Sequence, residues 1–99
     1  YCHLFFGAMG TELKIDIIST LKKSPMGVNE IAREINHERS KVSHALKSLL
    51  ECGFVRVTKD GRNRTYSLNT ETILPLLNLV EKHMRKYCKI CRHHKEVKL

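Results

Sequence analysis

The sequence predicts a mostly α-helical domain that carries one β-hairpin. Two observations lead to this fold class. Four segments repeat apolar residues every three or four positions, which is the periodicity of amphipathic helices. Between residues 54 and 68, apolar and polar residues instead alternate on both sides of an Asp-Gly-Arg-Asn turn at 60–63, which is typical of a hairpin. A chain of 99 residues is expected to form a single domain over 1–99.

Two helices are expected in the first quarter of the chain. Residues 2–8 form an apolar segment that is a candidate first helix. Thr11 is expected to cap a second helix that ends before Ser24 and Pro25. The apolar positions of this second helix follow helical spacing and are Leu13, Ile17, Ile18 and Leu21.

The next segment predicts a helix-turn-helix. From Val28 the apolar spacing i, i+3, i+4, i+7 indicates a third helix, which Asn36 interrupts. A fourth helix is expected to begin near Glu38 and to end before Gly53, since a left-handed helix terminus favours glycine. Two short helices joined by a tight turn form a helix-turn-helix.

The hairpin and a last helix complete the predicted fold. Strands are expected at 54–59 and 65–68. The last helix is expected from about Thr72 to at least Tyr87, with Pro75 in its first turn, where proline is tolerated. A helix-turn-helix followed directly by a hairpin is a winged helix-turn-helix, and this is the fold that we predict.

The charge of the chain indicates an acidic partner. The net charge is +8 at pH 7, which favours nucleic acid or an anionic membrane surface. No apolar stretch approaches the roughly 18 to 20 residues of a membrane span, so we expect no membrane partner. Residues 1–9 lack the basic leader and cleavage site of a signal peptide, and we expect a cytoplasmic protein.

The polar face of the fourth helix holds the first group of candidate DNA contacts. At 100° per residue, Ser40, His44 and Lys47 lie opposite the apolar stripe. Side chains near the start of such a helix reach base edges in the major groove, although a solvated basic face would have the same composition. The candidate contacts on this helix are Arg39, Ser40, Lys41, Ser43, His44 and Lys47.

The hairpin supplies a second basic surface. Lys59, Arg62, Asn63 and Arg64 lie within six residues and suit phosphate contact or minor-groove insertion, although a solubilising turn is the alternative. Basic residues on both helix and hairpin favour DNA over a winged-helix module that binds another protein. The sequence has no Ser-His-acid pattern, phosphate loop or paired acid and base, so we do not expect an enzyme.

Residues 28–68 resemble the helix-turn-helix and wing of ArsR-type repressors, and residues 11–25 resemble the helix before them. The matching features are Val42-Ser43 with Leu46, the Gly53-Phe54-Val55 exit, the Gly61-Arg62 wing and the Tyr66-x-Leu68 strand. Ala45 stands where many members carry histidine. The resemblance implies a dimeric transcriptional repressor that is released from double-stranded operator DNA by a metal, metalloid, redox or other signal.

The terminal helices are expected to form a homodimer. The apolar stripe of the last helix is longer than a domain of this size needs for its own core, which suggests a seam with a second copy. A helix packed only within its own subunit is the alternative. In the resembling family the first and last helices form the dimer interface. The candidate dimer residues are Leu4, Phe5, Ile73, Leu76, Leu77, Val80, Met84 and Tyr87.

Thiol and imidazole groups near the two ends suggest a metal site. The candidate ligands are Cys2, His3, His83, Cys88, Cys91 and His94. They suit zinc or another thiophilic ion. Three interpretations stay open: a metal or thiol sensor, a fixed structural metal, or small apolar cysteines in the dimer seam beside a frayed tail.

Neither sensor site known in the resembling family is present in register. Val28-Asn29-Glu30-Ile31 replace the cysteines at the start of the third helix, and Thr70 and Thr72 occupy the early positions of the site in the last helix. Any site would therefore be specific to this chain. One ion could bind the tail only if the helix ends near Cys91 or if Cys2 and His3 of the partner subunit contribute.

Overall fold

The computed structural model describes residues 3–90. These residues form five helices and two strands in the predicted order: α1 (His3–Gly10), α2 (Glu12–Lys23), α3 (Val28–Ile35), α4 (Arg39–Glu51), β1 (Val55–Asp60), β2 (Asn63–Leu68) and α5 (Ile73–Tyr87). The chain divides into two compact units, of which the first ends at Asn69 and the second begins at Thr70. The first unit contains α1 to β2 and is a winged helix-turn-helix, which confirms the predicted fold.

The core of the first unit is built from the periodic apolar positions. Its fully buried side chains are Ile17, Ile18, Ile31, Val42, Leu46, Leu49 and Phe54. Burial of each such side chain stabilises the fold by roughly 1.5 to 3 kcal/mol. The ring of Phe5 in α1 lies 4.8 Å from the ring of Phe54, measured between centroids. Phe5 therefore packs within its own subunit, whereas Leu4 is exposed.

Thr11 occupies the N-cap position of α2 as predicted, and the helix begins at Glu12. Thr11 stands directly before α2, but its hydroxyl donates a hydrogen bond to the carbonyl of Gly7 at 3.2 Å. The predicted position of the cap is therefore confirmed, while the side chain bonds back to α1 and makes no capping hydrogen bond to α2. The predicted end of α2 before Ser24 is confirmed, because Pro25 disfavours the helical conformation in the residue that precedes it.

The ends of α3 and α4 follow the chemistry of their terminal residues. Asn36 ends α3 in the left-handed conformation, with φ of 56°, which asparagine tolerates. Gly53 has φ of 77° after α4. There the amides of Gly53 and Phe54 donate to the carbonyls of Leu50 and Leu49, which is the Schellman pattern. The predicted glycine terminus is confirmed.

The hairpin is tighter than predicted. Asp60 pairs with Asn63, so the strands continue through the ends of the expected four-residue turn and leave Gly61 and Arg62 as a two-residue loop. Gly61 has φ of 62°, as the first residue of a type II′ loop requires. Met26 also forms an isolated bridge with Tyr66. This bridge ties the segment before α3 to β2.

The second unit contains α5, with Pro75 in the first turn as predicted. Along the predicted stripe, Ile73 is buried and Tyr87 is exposed, and the half-buried residues between them are Leu76, Leu77, Val80 and Met84. The helix ends at Tyr87, because Cys88 has extended backbone with φ of −90° and ψ of 101°. No helix within residues 3–90 is long and apolar enough to cross a membrane.

Candidate nucleic-acid interface

The outer face of α4 presents the predicted contact residues to solvent. The opposite face is held in the core by Val42, Leu46 and Leu49, which are fully buried. This burial sets the rotation of the helix, so that its polar residues must face outward. The exposed residues are Arg39, Ser40, Lys41, Ser43, His44 and Lys47, all of which were predicted from the sequence.

The wing residues are also exposed. Lys59 lies opposite Arg64 across the hairpin, and the loop carries Arg62 beside Asn63. Like charges directly opposite each other destabilise a strand pair. The hairpin therefore keeps an arrangement that its own stability does not favour, and that an anionic partner would relieve.

Two grooves join α4 to the wing. The larger groove has a volume of about 740 Å³ and is lined by Arg39 and Ser43 of α4, by the start of α3 and by residues 62–66. The second groove, of about 520 Å³, is lined by further α4 residues together with Arg64 and Tyr66. The structure thus brings the predicted residues of helix and wing into one basic surface. Lys59 is not among the described residues that line either groove.

The other flank of α4 carries a smaller cleft of about 320 Å³. Ser40, Lys41 and His44 line it together with residues at the start of α2. Lys14 of α2 lies in this cleft, and its Nζ donates a hydrogen bond to the hydroxyl of Ser48 at 3.1 Å. This bond links α2 to α4 and stabilises the position of α4.

Sequence reasoning missed Asn29, which the structure places in the larger groove. Its side-chain oxygen accepts a hydrogen bond from Nε of Arg39 at 2.8 Å. The two residues belong to different helices and lie ten positions apart. No local periodicity signals such a contact, because it depends on how α3 and α4 cross.

The predicted metal ligands are only partly described by the structure. His83 lies on α5 with its ring centroid 5.3 Å from that of Tyr87, and Cys88 is half-buried just after the helix. His3 begins α1. Within residues 3–90, no three His, Cys, Asp or Glu side chains are grouped so that they could hold a metal ion. The other candidates, Cys2, Cys91 and His94, lie outside the described residues.

Comparison with known sequences identifies relatives of this chain. The family model described as bacterial regulatory protein, arsR family, matches residues 11–57. The HTH-type transcriptional regulator NmtR of Mycobacterium tuberculosis is 34% identical over 71 residues, which cover 72% of this chain and 59% of NmtR. A transcriptional repressor SmtB homolog of Synechocystis is 28% identical over 82 residues, which cover 83% of this chain and 62% of the homolog. The chain thus matches about three fifths of the length of these curated relatives.

A solved structure shows the same fold. The winged helix-turn-helix fragment of Mb0332 from Mycobacterium bovis, described as homodimeric, superposes with a TM-score of 0.75. It is 20% identical in sequence, and the match covers 85% of this chain and 82% of that fragment. Together with the matched helix-turn-helix segment and the NmtR relationship, these findings show that the chain belongs to the ArsR family of bacterial regulatory proteins.

Proposed function

We propose that this chain is a transcriptional repressor that binds double-stranded operator DNA as a homodimer. One observation carries the proposal: α4 and the wing line the same grooves, with Arg39, Arg62 and Arg64 around the larger one. Guanidinium groups bind phosphate oxygens through two parallel, charge-assisted hydrogen bonds. We call α4 the recognition helix. A surface that joins this exposed helix to a basic wing fits a DNA duplex.

The two elements have different roles in this proposal. The recognition helix enters the major groove, where Ser40, His44 and Lys47 contact base edges and set sequence preference. The wing residues Arg62 and Arg64 contact phosphates and set the position of the protein on the duplex. Repression follows because a protein bound at the operator blocks other proteins from the same DNA.

Exposed apolar side chains on two helices support a homodimer. On α1, Leu4 is 75% exposed and Phe6 is 54% exposed, and on α5, Leu79 is 63% and Tyr87 is 64% exposed. Each helix, taken by itself, thus leaves large apolar side chains in contact with water, and such side chains favour a contact with another molecule. The related M. bovis fragment is described as homodimeric. Two copies would place two recognition helices about 34 Å apart, one turn of DNA.

We further propose that the segment containing Cys88 and Cys91 senses a thiophilic metal ion or an oxidant. The end of α5 at Tyr87 supports this, because the break frees the segment after it from the straight helical path that would keep a third ligand such as His94 too far from the two cysteines. Thiolate ligands suit zinc and softer ions. Within residues 3–90, His83 and Cys88 do not form a site by themselves, so the proposed site needs Cys91 as well.

Selection from random duplexes tests the DNA-binding function. The protein is mixed with duplexes that carry a randomised central segment, and the bound DNA is recovered and sequenced over several cycles. We expect an inverted repeat with half-sites one helical turn apart. Recovery of sequences with no shared motif would contradict sequence-specific repression and favour a protein-binding module.

A further inference from the structure

Asn29 and Arg39 connect the two helices of the helix-turn-helix at the edge of the larger groove. The side-chain oxygen of Asn29 accepts a hydrogen bond from Nε of Arg39 at 2.8 Å, and both residues are exposed. Asn29 lies in the first turn of α3, and Arg39 is the first residue of α4. This bond therefore orients an arginine at the start of the recognition helix.

The chemistry of the guanidinium group determines which of its donors this bond leaves available for a ligand. Arginine has five N–H donors in one rigid plane. The bond to Asn29 occupies the donor on Nε, which leaves the four donors on the two terminal nitrogens. Those terminal nitrogens form the fork that binds two oxygens of a phosphate. A guanidinium held at Nε keeps that fork free.

The partner of Arg39 is a neutral amide, which leaves the positive charge of Arg39 intact. Glu30 is the acidic residue among the described residues that line this groove. Its carboxylate accepts a hydrogen bond from the backbone amide of Gly27 at 3.2 Å, within the first turn of α3. Arg39 is thus oriented by a group that does not neutralise it, whereas a carboxylate partner would weaken its attraction for phosphate.

The start of α3 is itself fixed against the wing, so the backbone that carries Asn29 is held in place. The backbone amide and carbonyl of Met26 bond to Tyr66 of β2 at 3.0 and 2.8 Å. A Cβ at Gly27 would lie 3.4 Å from the carbonyl oxygen of Arg64, which shows how closely the two segments approach. Arg39 and Arg64 therefore line one groove whose α3 and wing segments are tied together.

We propose that Asn29 is a positioning residue that orients Arg39 to bind a backbone phosphate of the DNA. This inference rests on the proposed DNA-binding function. The phosphate is favoured over a base because Arg39 shares its groove with Arg62 and Arg64, so that three guanidinium groups line it. Asn29 acts by ordering the Arg39 side chain before DNA arrives, which lowers the entropic cost of binding.

The test compares Asn29→Ala, Arg39→Ala and the double variant by fluorescence anisotropy with a selected duplex over a range of salt concentrations. Asn29→Ala should raise Kd about threefold to tenfold, which is the effect of losing one hydrogen bond. The slope of the logarithm of the association constant against the logarithm of salt concentration, here called the salt slope, should not change, because no charge is removed. Arg39→Ala should reduce the slope by about 0.9 for each phosphate that the variant no longer binds. The double variant should bind no more weakly than Arg39→Ala alone. Lys23→Ala removes an exposed charge from the end of α2 and is the control, for which we expect no change.

Three binding results would overturn the inference: unchanged affinity in Asn29→Ala, additive losses in the double variant, or unequal losses on selected and random duplexes, which would indicate a base contact. If the wild type binds no duplex, the proposed function fails as well.

NMR of the Arg39 Nε–H group in the free protein separates positioning from folding. We expect faster hydrogen exchange of this group in Asn29→Ala, with backbone amide signals of the core unchanged. Equal exchange in both proteins would contradict the positioning role.

Discussion

Met26 and Tyr66 exchange two backbone hydrogen bonds, of 3.0 and 2.8 Å, which join the segment before α3 to the second strand of the wing. Tyr66 is buried and also lines both grooves beside the recognition helix. The base of the wing is therefore anchored to the helix-turn-helix, while its basic loop at Gly61 and Arg62 extends into solvent.

Loss of this backbone pair should loosen the wing. Met26→Pro removes the amide that donates to Tyr66, and we expect the free energy of unfolding to fall by about 1 to 3 kcal/mol. DNA affinity should fall as well, because the wing arginines lose their fixed position. Met26→Ala keeps both backbone bonds and is the matched control. Chemical denaturation measures the stability, and equal losses in the two variants would show that the side chain matters and the bridge does not.

Residues that read bases and residues that bind phosphates should respond differently to substitution. Alanine at Ser40, His44 or Lys47 should reduce the preference for the selected sequence, by about 1 to 3 kcal/mol for each base that is no longer read. Alanine at Arg62 or Arg64 should instead weaken binding to all duplexes and flatten the salt slope by roughly one unit for each phosphate that is no longer bound. Titration with matched and random duplexes measures both effects. Similar losses in the two groups would contradict this division of roles.

The proposed dimer should depend on exposed apolar residues of α1 and α5. Leu4→Glu and Tyr87→Glu place a charge where we expect a buried interface, and each should weaken dimerisation by more than about tenfold. Both residues are largely exposed, so the folded subunit should tolerate the change. Asn78→Glu, an exposed polar position on α5, is the control. Sedimentation velocity at micromolar concentration provides the measurement, and a wild-type monomer would refute the dimer.

A thiophilic ion or an oxidant should weaken operator binding through Cys88 and Cys91. Allosteric coupling of about 1 to 3 kcal/mol corresponds to a change in affinity of about 5- to 150-fold, and operator DNA must weaken effector binding by the same factor. Operator affinity is measured with Zn(II), Cd(II), As(III) and peroxide. Cys88→Ser/Cys91→Ser should abolish the response. If the wild type responds to none of them, the chain is a repressor without this sensor.

The sequence predicted those features that depend on neighbouring residues. Helical spacing placed α3 and α4, and Gly53 marked the end of α4 because left-handed backbone favours glycine. The exposed face of α4 followed from the same periodicity, since Val42 and Leu46 had to be buried. This face provided most of the candidate site.

The features that sequence reasoning missed depend on contacts between distant segments. Met26 meets Tyr66 forty positions later, and Asn29 meets Arg39 across two helices. Neither pair has a local signal, because the packing of α3 against the wing and against α4 decides both. At Thr11 the cap position was predicted correctly, but its hydroxyl donates to the carbonyl of Gly7 four residues earlier, a competing local bond that the residue type alone does not decide.

The salt dependence of binding to a selected duplex and to a random duplex tests the central claim most directly. Our account predicts that the selected duplex binds about a thousandfold tighter or more at physiological salt. It also predicts that the logarithm of both association constants falls linearly with the logarithm of salt concentration, because Arg62 and Arg64 displace counterions from phosphates. Equal affinity for both duplexes, or affinity that does not depend on salt, would contradict the assignment of α4 and the wing as a sequence-specific DNA-binding surface.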